Sequence, residues 1–177
     1  LFPSFTGISH AKKNGKKWMK PQRVSISALY MPAHNEIQPQ PLGVVGIMVP
    51  WNYPLFLAVG PMIDALVAGN RIMIKMSEAA PQFAQTFAET ISRYFSPDMV
   101  SVVIGEVEIA EAFSKLPFDH LLYTGSTAVG KKVMAAAAPN LTPVTLELGG
   151  KSPVVVLEGA NLENAVNRVM MGKTLNA

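Results

Sequence analysis

Two polar residues in this sequence have the types and settings that carbonyl chemistry needs. Glu147 lies in "LELGGKSP" (146–153), and Asn52 lies in "PWNYP" (50–54). A carboxylate among leucines and glycines is expected to be partly desolvated, which raises its affinity for protons as a general base requires. An amide held between two prolines can donate to a developing oxyanion. The alternatives are a glutamate satisfied by nearby backbone groups and an ordinary proline-bounded turn.

A third candidate is the segment "YTGSTAVGK" (123–131), which resembles a dinucleotide-binding turn. Gly125 and Gly130 match the first and third glycines of the G-x-G-x-x-G pattern, but Thr127 replaces the second. Gly125 and Ser126 can expose N–H groups at a helix start, where an anion such as pyrophosphate binds. The Cβ of Thr127 is expected to hinder close approach of phosphate. A plain strand-to-helix turn is the alternative.

The segment "IKMSE" (74–78) supplies a candidate ribose site. A carboxylate just past a strand end, here Glu78, can accept hydrogen bonds from both ribose hydroxyls and would repel a 2′-phosphate. Lys75 can donate to the same ribose. These residues predict NAD rather than NADP as cofactor, although a helix-terminal charge beside a surface lysine is an equally consistent interpretation.

The elements that must position these residues alternate between strand and helix. Buried strands are predicted in "GVVGIMV", "RIMIK", "MVSVVIG", "DHLLYTG" and "PVTLEL", with helices between them. The first helix runs from Pro54 to Ala68 and has proline at its start and Gly69 after its end. This alternation predicts an α/β fold with a doubly wound, Rossmann-like, five-stranded parallel sheet. Ligands of such sheets bind beyond the carboxyl ends of the strands. Those ends are predicted at Val49, Lys75, Gly105, Thr124 and Glu147.

The chain divides into three predicted regions. Residues 1–20 form a basic N-terminal segment, interpreted as a solvated helix or tail rather than a nucleic-acid or membrane patch. Residues 21–42 form an edge hairpin in which 23–31 alternates, 32–36 turns, and 37–41 continues extended with prolines that exclude a central strand. Residues 43–177 form the incomplete cofactor domain.

Composition limits the remaining possibilities. The 177 residues are 49% hydrophobic, carry a formal net charge of +3 and contain no cysteine. Disulfides, cysteine-based metal sites and a thiol nucleophile from these residues are therefore excluded, and no metal site is predicted. No signal peptide and no unbroken apolar span is present, because prolines and glycines interrupt residues 41–63. A cytoplasmic protein without nucleic-acid or membrane partners is expected, and the non-methionine start suggests a fragment.

The four motifs "PWNYP", "IKMSE", "YTGSTAVGK" and "LELGGKSP", in this order, resemble the aldehyde dehydrogenase superfamily. "KMSE" and the proline-rich hairpin are most similar to its coniferyl or fatty aldehyde branch. The resemblance runs from about residue 26 to residue 177. It implies an enzyme that oxidises an aldehyde, such as coniferyl aldehyde, to an acid with NAD, through a cysteine thioester.

The resemblance also implies roles for individual residues. Asn52 would be the oxyanion donor and Glu147 the general base. Lys75 and Glu78 would contact the adenosine ribose, and the Leu148 carbonyl would meet the nicotinamide amide. The other implied cofactor contacts are Ser126 at the pyrophosphate, Val129 and Gly105 beside the adenine, and Val49, Pro50, Trp51 and Gly125. The hairpin at 21–42 would serve assembly of a homo-oligomer, a dimer or tetramer.

One departure from the family pattern concerns the nucleophile. The family cysteine lies a few residues beyond a stretch like "GKTLNA" (172–177), so it and the catalytic domain are expected in a missing C-terminal portion. The chain by itself is then expected to be inactive. Two classes of function remain: the cofactor portion of an aldehyde dehydrogenase, and a non-catalytic dinucleotide-binding or interaction module. The retained Glu147 and Asn52 favour the enzyme, and a downstream cysteine would distinguish the two.

Overall fold

The computed structural model describes residues 2–175 and consists of six α-helices and seven β-strands within that range. In chain order the elements are α1 (Phe2–Trp18), β1 (Gln22–Val24), β2 (Asn35–Ile37), β3 (Val44–Met48), α2 (Pro54–Val67), β4 (Arg71–Lys75), α3 (Pro81–Tyr94), β5 (Val100–Val103), α4 (Val107–Ser114), β6 (His120–Gly125), α5 (Thr127–Ala137), β7 (Val144–Leu148) and α6 (Leu162–Thr174). Short 3-10 turns lie at Ala28–Tyr30 and Ala138–Asn140.

Strands β3 to β7 form a parallel sheet in the order β5-β4-β3-β6-β7. The predicted α/β class and five-stranded parallel sheet are thus confirmed. The chain leaves β3 toward one edge through β4 and β5, then returns and continues through β6 and β7 on the other side. The reversal lies between β3 and β6, where the crossovers leave a crevice beyond the strand ends.

Helices cover both faces of this sheet, and each face has its own apolar core. One core joins Ile47 and Ile74 of the sheet to α2 and α3, and the other joins Leu121 to α4 and α5. Helices α2 and α3 both have proline in their first turn, where the missing N–H has no intrahelical acceptor to lose. The strands are therefore buried on both sides, which explains their continuous apolar runs.

Asn70 anchors the start of the sheet at its amino-terminal edge. The side chain is 7% exposed. Its Oδ1 accepts from the N–H groups of Leu42 (2.7 Å) and Gly43 (3.0 Å), while its Nδ2 donates to the Ala65 carbonyl (3.1 Å). One amide therefore ties the entry to β3 and the end of α2 to the loop before β4.

We expect Asn70→Ala to lower the free energy of unfolding by about 2–4 kcal/mol, because two backbone donors and one carbonyl lose their partner in a buried place. Urea denaturation followed by circular dichroism measures the change. Asn140→Ala is the matched control, since the Asn140 side chain is exposed and donates one hydrogen bond, to the Lys115 carbonyl. Equal losses in the two variants would contradict the anchoring role.

The basic N-terminal segment is a helix, one of the two forms predicted for it. Three small residues of α1, namely Ser4, Ala11 and Gly15, are buried on one face. A Cβ at Gly15 would lie 2.7 Å from Val67 Cγ1, so α1 and α2 approach closely there. The lysines of α1 are exposed on other faces of the helix. Tertiary packing through small residues therefore holds this segment against α2.

Residues 21–42 form a two-stranded antiparallel unit outside the five-stranded sheet, but its ladder is shorter than predicted. Strands β1 and β2 pair over three residues each. The expected strand over 23–31 ends at Val24, and residues 28–30 form a 3-10 turn in which Ser27 Oγ accepts from the Leu29 N–H. The hydroxyl supplies a local partner that competes with the ladder. All six strand residues are exposed.

Helix α6, in the C-terminal part of the chain, was not predicted from the sequence. Residues 153–157, "PVVVL", have no regular structure and are exposed, and α6 begins at an Asn161 cap and has no buried residue. Val155 and Leu157 are 80% and 74% exposed. The predicted cofactor domain, 43–177, ends with two residues that lie outside the described range.

Candidate active and cofactor site

A cleft of about 550 Å³ lies at the carboxyl ends of the parallel strands. Its lining residues come from four strand ends and from helices α2, α4 and α5: Met48, Val49, Pro50, Trp51, Asn52, Leu57, Lys75, Met76, Ser77, Glu78, Ala110, Tyr123, Thr124, Gly125, Ser126, Val129, Glu147, Leu148 and Gly149. The register explains why they meet, because Met48 pairs with both Lys75 and Tyr123, and Thr124 pairs with Glu147. The cleft therefore lies at the reversal of strand order.

Eleven of the twelve site residues chosen from sequence line this one cleft. The exception is Gly105, which follows β5 and is absent from the lining. Its backbone φ is +156°, and a Cβ there would lie 2.6 Å from Ile109 Cγ1 of α4. The need for glycine at 105 is thus explained by backbone conformation and by the approach of α4. Its contact with an adenine stays a prediction.

Lys75 and Glu78 form an ion pair on the floor of the cleft. Lys75 Nζ lies 3.7 Å from Glu78 Oε2 and donates to the Met76 carbonyl at 2.7 Å. The Lys75 side chain is 2% exposed, whereas that of Glu78 is 40% exposed. Burial lowers the pKa of Lys75, and the Glu78 carboxylate opposes this shift. Keeping the ammonium charged therefore costs folding free energy at pH values below its folded pKa, and the cost fades as pH rises above that pKa.

The turn before α5 presents donors to the cleft. Ser126 is the N-cap of α5: its Oγ accepts from the Val129 N–H at 3.3 Å, and its carbonyl accepts from the Gly130 N–H at 2.9 Å. The hydroxyl proton of Ser126 and the first-turn amides of Thr127 and Ala128 have no acceptor within the helix and suit an anion. Thr127 is exposed and is not among the lining residues.

Asn52 lies in a sharp turn between β3 and α2. Tyr53, the next residue, has φ 49° and ψ 43°, a left-handed conformation that is costly for a residue with a Cβ. Pro54 then opens α2. The strained backbone and the two flanking prolines hold Asn52 at the cleft wall, where its amide can donate to an oxygen that gains negative charge.

Glu147 is in the cleft but is not desolvated as expected. It is exposed in this structure, as are Leu148 and the two following glycines. The expectation assumed that leucines beside Glu147 in sequence also surround it in space. Alternation along a strand instead directs neighbours to opposite faces, and these residues lie at the end of the edge strand β7. Glu147 thus lies at the cleft, but the predicted desolvation is wrong for the described residues, and its role as general base stays a prediction.

A second groove, of about 360 Å³, continues from the cleft between α4 and α5. It shares Met48, Glu78, Ala110 and Val129 with the cleft, and Val107 and Val133 add to its apolar walls. Sequence reasoning found Val129 but missed the groove. The sequence signal for the groove is small or β-branched residues on the facing sides of α4 and α5, such as Ala110 and Val133.

Tyr123 and the Met76–Ser77 pair were also missed as site residues. They could have been predicted, because any side chain at the end of a central strand borders the crevice. The sequence analysis considered mainly polar residues at these ends. Within residues 2–175 no cluster of three metal-ligating side chains occurs. No helix in the same range is long and apolar enough to span a bilayer.

Comparison with known proteins places this arrangement in a family. Residues 6–177 match the model of the aldehyde dehydrogenase family. A probable coniferyl aldehyde dehydrogenase of Pseudomonas aeruginosa is 56% identical over 177 residues, which is all of this chain and 37% of that protein. The coniferyl aldehyde dehydrogenase of a Pseudomonas species is 45% identical over 98% of this chain and 36% of its own length. This chain thus spans little more than a third of these relatives.

Solved structures agree with the sequence match. The substrate-bound AldH of Staphylococcus aureus superposes with a TM-score of 0.95 at 40% identity, over 98% of this chain and 38% of that one. Because the family model matches nearly the whole length, residues 6–177, the chain belongs to the aldehyde dehydrogenase family.

Proposed function

We propose that this chain is the NAD-binding portion of an enzyme that oxidises an aldehyde, coniferyl aldehyde in particular, to a carboxylic acid. The observation that carries the proposal is the convergence of eleven site residues from four strand ends on one cleft. The similarity to coniferyl aldehyde dehydrogenases supports the substrate. A Mycobacterium tuberculosis aldehyde dehydrogenase solved with NAD⁺, at 35% identity and a TM-score of 0.82 over 93% of this chain and 34% of that one, supports the cofactor.

The cleft and groove fit a dinucleotide in outline. Glu78 and Lys75 would hold the adenosine ribose, the turn at Ser126 would hold the pyrophosphate, and the groove between α4 and α5 would take the adenine. The Leu148 backbone would hold the nicotinamide end near Glu147. When bound, NAD accepts a hydride from the substrate. A ribose oxygen would accept a hydrogen bond from the buried Lys75 ammonium. This bond would offset part of the free-energy cost of desolvating the ammonium.

The reaction divides between this chain and the rest of a longer enzyme. Asn52 would donate to the oxygen of the aldehyde as negative charge develops on it, and Glu147 would take a proton from the water that releases the acid. The thiolate that forms the thioester must come from outside these 177 residues, which contain no cysteine. The chain alone is therefore expected to bind NAD but to oxidise no aldehyde.

A non-catalytic binding module is the alternative, and the placement of Asn52 and Glu147 argues against it. Both border the cleft that is also lined by the proposed nucleotide contacts. A module that only bound a dinucleotide would not require an amide and a carboxylate at that end of the cleft. A cytoplasmic location stays a prediction.

The cofactor assignment predicts NAD in preference to NADP. Glu78→Gln is expected to lower the ratio of NAD to NADP affinity roughly tenfold, because the variant no longer repels a 2′-phosphate; partial exposure of Glu78 keeps the effect moderate. Isothermal titration calorimetry with both nucleotides measures the ratio. Glu89→Gln, on the exposed face of α3, is the control. Tighter binding of NADP than NAD by the unchanged chain would refute the assignment.

The two-stranded unit at 21–42 is proposed to take part in assembly of a homo-oligomer. Its strand residues are exposed, and Leu29, Tyr30 and Ile37 are 90%, 69% and 58% exposed. A lone hairpin is marginal in water, so a second chain would stabilise it. The exposed segment 153–157 and α6 would instead pack against the remainder of the longer enzyme.

Deletion of residues 23–40 from the longer enzyme is expected to abolish the oligomer, because the pairing edge is lost. Multi-angle light scattering measures the mass in solution. Replacing three of the basic residues of α1, Lys12→Ala, Lys13→Ala and Lys16→Ala, is the control, because these exposed side chains lie outside the hairpin. An oligomer that survives the deletion unchanged would show that assembly uses another surface.

A further inference from the structure

The two glycines of the nucleotide turn are not required by backbone conformation. Among the described residues, glycines with positive φ are Gly43, Gly69, Gly105 and Gly159, so neither Gly125 nor Gly130 belongs to that group. Thr127, at the middle position of the pattern, lies outside the cleft lining. Any need for glycine at 125 and 130 must therefore come from the atoms that a side chain there would meet, and not from the backbone φ angle.

At Gly125 the excluding group is the ring of Tyr123, and at Gly130 it is the side chain of Leu148. A Cβ built on Gly125 would lie 2.6 Å from Tyr123 Cζ, with the hydroxyl oxygen still closer. A Cβ on Gly130 would lie 2.8 Å from Leu148 Cδ2 and 3.5 Å from Tyr123 Cε1. Contacts under 3 Å are far inside the van der Waals minimum, so a methyl group at 125 or 130 must displace its neighbours.

Tyr123 is well placed to fix the turn. It is 7% exposed, and its hydroxyl lies 3.5 Å from the Ser126 carbonyl, which also accepts from the Gly130 N–H. Leu148 also lies next to Gly130. It follows Glu147 in β7, and its register partner in β6 is Gly125. One ring and one leucine therefore fill the space between the end of β6, the first turn of α5 and the end of β7.

We propose that Tyr123 is a positioning residue for the cofactor turn, and that Gly125 and Gly130 are glycines because its ring and Leu148 occupy their side-chain space. The packing ties the first-turn amides of α5 to the strand end that carries Glu147. This inference rests on the proposed function for its consequence, which is cofactor affinity, but the packing itself is independent of any ligand.

The first test measures NADH affinity of the full chain in a Trp18→Phe background, where Trp51 in the cleft is the remaining tryptophan. Energy transfer from Trp51 to NADH reports binding. Gly125→Ala is expected to weaken binding about tenfold or more, because a displaced turn loses hydrogen bonds to the charged pyrophosphate. In a Tyr123→Leu background the same change is expected to alter affinity less than about twofold, because the ring it strikes is gone. Gly7→Ala in α1, where a Cβ meets no atom within 4 Å, is the control.

The second test distinguishes the effect of the Tyr123 ring from that of its hydroxyl group, and it uses the chain without nucleotide. Hydrogen exchange of the nucleotide-free chain should quicken at the hydrogen-bonded amides of Val129 and Gly130 and of β7 in Tyr123→Leu, by about tenfold, and stay within about twofold of the unchanged chain in Tyr123→Phe. Equal behaviour of the Leu and Phe variants, or an equal effect of Gly125→Ala in both backgrounds, would overturn the inference. If the exchange pattern holds while the unchanged chain binds no NADH, the packing role stands and the proposed function fails.

Discussion

Glu147→Gln in the longer enzyme is expected to leave one rapid equivalent of NADH and then nearly stop. The amide keeps the shape of the carboxylate but cannot accept a proton from water, so release of the acid from the thioester should slow by about 10² to 10⁴-fold. In the proposed reaction, hydride transfer precedes that step and would not need the base. Stopped-flow absorbance of NADH measures both phases, and the burst amplitude counts the sites.

Glu89→Gln is the matched control, because Glu89 is exposed on α3 and lies outside the cleft. Unchanged steady-state turnover in Glu147→Gln would show that another group activates the water. Loss of the burst itself would assign Glu147 to the first stage, and either result contradicts the role proposed here.

Asn52→Ala is expected to slow the burst itself, by about 10² to 10³-fold in rate, because the amide would stabilise the oxyanion in both halves of the reaction. Affinity for NAD should change little, since the ribose and pyrophosphate contacts lie on other strand ends. Rapid-mixing kinetics together with calorimetry distinguish these two quantities. This pattern differs from that of Glu147→Gln, in which only the second stage slows.

The control for Asn52 is Asn140→Ala, an exposed asparagine after α5 whose amide donates to the Lys115 carbonyl. A normal burst in Asn52→Ala would remove the amide from the catalytic role. Its place between two prolines would then reflect only the turn that the left-handed Tyr53 requires.

The parallel sheet and its helices were predictable because their signals are local. Proline at the start of α2 and Gly69 after it punctuate the chain, and continuous apolar runs mark strands that are buried on both faces. The hairpin was less predictable, since its alternation competes with the cap that Ser27 provides. Helix α6 was missed, and none of its residues is buried within the described chain.

The sequence by itself determined which residues could form the site. Parallel strands place all their carboxyl ends at one edge, so Asn52, Lys75, Ser126 and Glu147 had to meet once the strands were correct. This inference needs only chain direction, not atomic detail.

Only the tertiary structure decided how these residues are held. The strand order placed β7 at an edge, which leaves Glu147 exposed, and burial of Lys75 beside Glu78 arose from packing between elements distant in sequence. The space taken by the Tyr123 ring likewise explains Gly125, although both residues belong to the same strand. Such properties depend on which atoms surround a group. Those atoms come from several segments, and the spacing of the segments along the chain does not show which of them are in contact.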